Sequence, residues 1–149
     1  YRDQLTQIGN RHSMTKYISD MDKSKSIGVV YCDITGLKRV NDNEGHIAGD
    51  NLIIKCCNFL NNYYSDYGVF RIGGDEILAL CSSIDKEEFM RRKEIFRAAA
   101  AEKKIPLAVG FSWSETSGES IGEILHEAEM AMYSDKAAYY KASGIERRS

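Results

Sequence analysis

The stretch RIGGDEILAL, Arg71 to Leu80, reads as two short apolar strands folded about Gly73-Gly74, with Asp75 and Glu76 immediately after the turn. Glycine pairs of this kind mark tight hairpin turns, where positive φ costs a side-chain-free residue little. Two adjacent carboxylates between hydrophobic strands are a different matter, because a buried charge loses several kcal/mol of hydration unless something binds it. Residues 68 to 82 read as the whole hairpin. A second anomaly of the same kind stands upstream: IGVVYCDI (27–34) is apolar on both alternating faces, the pattern of a central strand covered on both sides, yet Asp33 sits at its exit.

The remaining elements follow from periodicity. Met14, Tyr17, Ile18 and Met21 recur at helical spacing over about 11–23, and the charged DKSKS closes that helix. TGLKRVNDNEGHIAG is polar and glycine-punctuated and reads as a loop, after which Leu52, Ile53, Cys56, Leu60 and Tyr63 mark a helix to about residue 64. Asp85 with Glu88 three residues on has the form of a capping box opening a helix over about 86–103. PLAVGFSW (106–113) alternates as a half-buried strand, and Ile124, Leu125, Ala128 and Met132 carry a last helix to about Tyr140. The expected fold is α/β, with a mostly antiparallel central sheet flanked by helices.

The chain of 149 residues is the length of one domain and contains no repeat or linker that would divide it, so 1–149 is expected to be a single unit. Its start at Tyr1 without an initiator Met suggests a domain excised from a longer protein. With Lys plus Arg at 20 against Asp plus Glu at 22, a net charge of -2 offers no general attraction to nucleic acid or to an anionic membrane, and neither is expected as a partner. Cys32, Cys56, Cys57 and Cys81 lie in apolar runs without zinc-knuckle or disulfide spacing, and read as small buried hydrophobes in a reducing cytoplasm. No apolar run approaches a membrane span.

Asp33 at a strand exit and Asp75 at a hairpin tip beside it offer hard oxygen ligands at a sheet end, which suits Mg²⁺, with Mn²⁺ as the other candidate. Such ions can hold a triphosphate and activate an attacking hydroxyl, and glycines at 73 and 74 leave space for a phosphate to approach the backbone. Each piece alone has a plainer reading: a Gly-Gly turn that is only a turn, an aspartate that caps a loop, lysines that are solvated. Together, CDITGLKRVNDNEGHIAGD, RIGGDEI and the early LTQIGNRH resemble the GGDEF domain of bacterial diguanylate cyclases from about residue 3 to 136. The resemblance implies a fold akin to nucleotidyl cyclases and the polymerase palm, and condensation of two GTP into cyclic di-GMP with release of pyrophosphate.

On that resemblance, Asp33 and the Ile34 carbonyl would ligate the metal. Asp75 would be the other metal carboxylate and would assist 3′-hydroxyl deprotonation, with Glu76 supporting it. Gly73, Gly74, Lys38 and Lys136 would receive the phosphates. Asn41 and Asp50 would read guanine, whose N1–H and N2–H₂ donors match a carboxylate. A transient homodimer would bring two GTP together, under an upstream sensor or regulatory domain. Gln7 stands where the family has Gly, Thr35 where it has a second Asp, Leu37 and Ile77 where it has Phe, and Tyr140 where it often has a phosphate-binding Arg. Tyr64 and Tyr67 occupy the Arg and Asp positions of the family's product-inhibition site, so that feedback is expected to be absent. Arg71 is read either as a phosphate contact or as a structural ion pair. The competing function is a catalytically silent GTP-binding regulatory domain, followed by a cyclase of other specificity or an interaction module.

Overall fold

The computed structural model describes residues 2–118 and 120–143. In chain order the elements are α1 (Arg11–Asp20), β1 (Ile27–Ile34), α2 (Leu37–Glu44), α3 (His46–Tyr64), β2 (Gly68–Arg71), β3 (Glu76–Ser82), α4 (Lys86–Glu102), β4 (Leu107–Ser114) and α5 (Ile121–Ser143). The four strands form one sheet in the order β2-β3-β1-β4, with every neighbouring pair antiparallel.

β1 is apolar throughout because helices cover both of its faces, and all eight of its residues are buried. Val30, Cys32 and Ile34 point with Ile77, Ala79 and Cys81 into a core closed by α3 and α4, through Cys56, Cys57, Leu60, Phe89 and Phe96. The alternate residues Ile27, Val29 and Tyr31 join Leu78 and Leu80 beneath α1 and α5, against Met14, Ile124, Ala128 and Met132. All four cysteines are free and buried. Ile77, which replaces an aromatic residue of the family signature, is fully buried in the first core. Among the described residues no helix is long and apolar enough to cross a membrane.

The expected loop after β1 is instead helical. Gly36 at φ 76° and Gly45 at φ 91° bracket α2, and α3 begins at His46, six residues before the apolar periodicity starts. No residue of α2 is buried, so it presents no apolar stripe from which a helix could be read. The capping box at Asp85 is half formed. Its side chain accepts from the Glu88 amide at 2.7 Å, but the Glu88 carboxylate turns to Arg91 and Arg92.

Residues 3–9 fold into a turn that docks on the edge of β2. The Gln7 amide donates to the Asp3 carbonyl at 2.8 Å, the Gly9 amide to Val69, and the Arg71 amide to Gly9. Gln7 adopts φ 65°, so the turn survives the exchange of glycine for a residue with a Cβ. A side chain in the left-handed region costs about 1–2 kcal/mol, part of which the greater unfolded-chain freedom of glycine would offset. Gln7→Gly is therefore expected to raise unfolding free energy by about 1 kcal/mol in urea titrations; a loss of stability would contradict this account of the turn.

Candidate active site

Asp33 lies opposite Glu76 in the β1–β3 register. The turn before β3 is tied back to β1 by the Ile34 amide, which donates to the Asp75 carbonyl at 2.7 Å. One end of the sheet thereby collects Asp33, Ile34, Gly73, Gly74, Asp75 and Glu76. Strand alternation puts Asp33 on the face that carries Tyr31 and lies under α5. From α5, the Lys136 ammonium donates to Asp33 Oδ2 at 3.0 Å, with the two side chains only 16% and 6% exposed. The other oxygen, Oδ1, is buried and has no hydrogen-bond partner.

Burial pushes the Asp33 carboxyl above the ordinary aspartate range; the Lys136 bond opposes this and the Asp75 carboxylate beside it adds to it. Burial likewise raises Glu76, reinforced by Asp75 and Glu129 and opposed by the Tyr31 hydroxyl and Arg11. A buried carboxylate with one orphaned oxygen, set beside a second carboxylate, has the electrostatics of a divalent-cation site. Among the described residues no three His, Cys, Asp or Glu side chains form a cage. Mg²⁺ does not need one, since it keeps several waters and takes substrate phosphate oxygens alongside one or two carboxylates. The donor set of Asp33, Asp75 and the Ile34 carbonyl fits that requirement.

The Gly-Gly turn is built differently from the expectation. Neither Gly73 nor Gly74 takes positive φ, so backbone freedom is not what the pair supplies. A Cβ on Gly74 would meet nothing within 4 Å, whereas one on Gly73 would sit 3.4 Å from Glu76 Oε1. Open space lies beside the Gly74 backbone. The turn is clamped by Arg71, whose Nε donates to the Gly73 carbonyl at 3.2 Å and whose Nη2 donates to Gly74 at 3.0 Å. Its Nη1 meets Asp3 at 3.3 Å. Burial raises the Asp3 carboxyl, but hydrogen bonds from Thr6 and the Arg71 charge leave it below its ordinary value. Arg71 is thus the structural ion pair of the two readings, and the early motif proves to be the buttress of this turn.

The guanine candidates stand one helix away. Asn41 on α2 packs its amide against Gly49 in the first turn of α3, so closely that a Cβ at 49 would collide with it. Asp50, the next residue, is exposed, as is Lys38 in the first turn of α2. No side chain caps α2 at Gly36, which leaves its first backbone N–H groups for an anion. Only Ile34, Thr35 and Gly36 separate Asp33 from the start of α2, so the backbone itself holds the two groups at one end of the sheet.

Two departures from the family pattern meet. Thr35 and Tyr140 line one cavity of about 230 Å³ with Arg39, Val40, Leu52 and Pro106. Tyr140 is 2% exposed, and Thr35 Oγ1 is buried without a partner. A pair of family charges is replaced here by neutral side chains turned into the protein. At the product-inhibition positions, Tyr64 is fully buried and Tyr67 lies beneath Arg92, 5.0 Å from guanidinium to ring. Arg92 is itself held by Asp66 and Glu88. Sequence reasoning missed Tyr31 and Glu129. The Tyr31 hydroxyl lies 3.4 Å from Glu76 and 3.3 Å from Glu129 on α5, and its one proton serves one of these carboxylates at a time. An apolar strand position gave no sign of that role.

A model of the diguanylate cyclase GGDEF domain matches residues 1–141. The chain belongs to the GGDEF family. Among its relatives, the cyclic di-GMP phosphodiesterase PdeR of Escherichia coli is 31% identical over 147 residues, covering 90% of this chain and 22% of that protein. The diguanylate cyclase DosC of Shigella sonnei is 29% identical over 114 residues, covering 72% of this chain and 25% of that protein. The GGDEF domain of DgcB from Caulobacter crescentus, solved with cyclic di-GMP, has a TM-score of 0.77 at 20% identity, covering 92% of this chain and 90% of that one. The FimX GGDEF domain of Pseudomonas aeruginosa also gives 0.77, at 12% identity and coverage of 90% and 92%. The palm-like cyclase fold expected from the sequence is therefore present, and this GGDEF chain spans about a quarter of the length of the curated relatives it matches.

Because Arg71 grips two turn carbonyls at once, Arg71→Lys is expected to keep the charge opposite Asp3 but lose the fork. The loss is about 1–3 kcal/mol, felt at the turn. Amide exchange at residues 72–76 should quicken more than exchange in β1; equal protection in variant and wild type would show that the clamp is idle.

Proposed function

We propose that this domain is a diguanylate cyclase, and that it works as one part of a longer signalling protein. The observation that carries the reading is the convergence of Asp33, with its orphaned buried oxygen, and Asp75 beside an uncapped helix start that leads directly to Asn41 and Asp50. In the reaction, the 3′-oxygen of each GTP forms a bond to the α-phosphorus of the other. The bond from that phosphorus to its β-bridging oxygen breaks, pyrophosphate departs, and the hydroxyl proton is taken up by a carboxylate or by water.

Asp33, Asp75 and the Ile34 carbonyl would hold Mg²⁺ or Mn²⁺, which when bound supplies charge for the phosphates and acidifies the attacking hydroxyl. Asp75 would take the proton, with Glu76, in contact with the Tyr31 hydroxyl, supporting it. Lys38, Lys136 and the first N–H groups of α2 offset triphosphate charge, and the bare backbone at Gly73-Gly74 gives the phosphates room. Asn41 and Asp50 select guanine, because adenine lacks the donor pair that Asp50 accepts. One site holds one GTP, so two subunits must face each other; a transient homodimer under an upstream regulatory domain serves that need. The buried tyrosine at 64 argues for a cyclase without feedback at the family's usual product site.

The second reading, a GTP-binding domain that regulates without turnover, is favoured by one observation: Tyr140 is buried where the family often has an arginine for the triphosphate. Incubation of purified protein with GTP and Mg²⁺ separates the two. Cyclic di-GMP should form at a specific rate that rises with enzyme concentration, and Asp75→Ala should abolish it, a loss of at least about a hundredfold, while leaving the circular dichroism spectrum intact. GTP binding without product at any protein concentration would establish the regulatory reading, and full activity of folded Asp75→Ala would remove the role given to that carboxylate.

A further inference from the structure

Lys136 stands in a position that a phosphate-binding lysine does not need. Its ammonium is not extended toward solvent but sits 3.0 Å from Asp33 Oδ2, and both side chains are largely buried. The Asp75 carboxylate also favours the charged form of this lysine, less strongly than Asp33 does. Lys136 is the cation that compensates the buried Asp33 carboxylate in the folded protein.

We propose that Lys136 is a resident counter-ion that closes the Asp33 site to bare Mg²⁺, so that the metal enters together with the nucleotide's phosphates rather than ahead of them. This rests on the reading of Asp33 as a metal carboxylate. A divalent ion approaching Asp33 alone meets one oxygen already bound to an ammonium and is repelled by that ammonium at close range, where the low local dielectric strengthens the repulsion. A triphosphate changes both terms. Its oxygens offer the ammonium a new anionic partner, and when Lys136 turns to them both Asp33 oxygens become free for the metal. Metal and nucleotide then assist each other's binding, and the assistance is reciprocal by linkage. The device also avoids a cost: with neither ligand bound, the fold does not carry an unpaired buried carboxylate at Asp33 beside the half-buried Asp75.

The test is a Mn²⁺ titration of metal-stripped, nucleotide-free protein, read from the electron paramagnetic resonance signal of free Mn²⁺. Wild type should bind weakly. Lys136→Gln, which retains a hydrogen-bond donor for Asp33 but no charge, should bind about tenfold more tightly, and the gain should vanish in Asp33→Asn/Lys136→Gln. A Gln variant no tighter than wild type, or a gain that survives loss of Asp33, overturns the proposal. If Lys136→Gln does not fold, the wild-type protein still decides by nuclear magnetic resonance of lysine side-chain ammonium groups. The Lys136 signal should be unmoved by Mg²⁺ alone and displaced by Mg²⁺ with a non-hydrolysable GTP analogue. Displacement by Mg²⁺ alone overturns the counter-ion role only. Absence of Mn²⁺ binding in every variant, with the ammonium unmoved by Mg²⁺ and analogue together, overturns the metal reading of Asp33 as well.

Discussion

Asp33 is a charged side chain, 4% exposed, at the end of a strand whose other residues are buried, and only one of its two oxygens has a partner. Much of the molecule is arranged around that carboxylate. β1 carries it to the sheet end, and β3 places Glu76 opposite. The turn carbonyl of Asp75 is tied to the next amide of β1. α5 supplies Lys136 from above. Burial, a neighbouring carboxylate and a single ammonium form an arrangement that is poorly balanced as a structural ion pair but suited to a divalent cation arriving with anionic oxygens of its own.

A second layer of constraint holds the turn. Asp3 and Thr6, at the far end of the sequence, fix Arg71, and Arg71 fixes the carbonyls of Gly73 and Gly74. On the other side the Tyr31 hydroxyl of β1 reaches Glu76. The hairpin tip is thus gripped from the amino-terminal turn through Arg71 and from β1 through the Ile34 amide, which explains how a loop bearing two carboxylates can be held in one geometry next to a buried charge. Preorganisation of this kind is what phosphoryl transfer asks of a protein, since the chemistry depends on positioning and charge placement more than on covalent participation.

The strands and the helices with an apolar stripe were legible because the sheet is covered on both sides, and each face imposes its own periodicity on the residues. β1 was read with its observed bounds for that reason. α2 was not, because a helix that buries nothing leaves no pattern, and its ends are set by two glycines that read equally well as loop. The carboxylates at 33, 75 and 76 stood out as charges among apolar residues. The links that position them did not: Arg71 to Asp3 spans 68 residues and Tyr31 to Glu129 spans 98, and neither leaves a local signature. Of the two properties expected of Gly73 and Gly74, positive φ is absent, while open space does lie beside Gly74. Gln7 shows the converse, a positive φ kept without its glycine.

The central claim is that Asp33 is retained for a ligand and not for the fold. The most direct measurement is the melting temperature of Asp33→Asn against wild type in metal-free buffer at neutral pH. The surroundings of Asp33 disfavour its charged form, and the asparagine still accepts a hydrogen bond from Lys136 while removing the repulsion from Asp75. The account predicts a variant that melts at or above wild type yet gains nothing from Mg²⁺ with a GTP analogue, whereas wild type is stabilised by that pair. A variant that melts well below wild type in metal-free buffer would mark the Asp33–Lys136 contact as a structural ion pair and contradict the account.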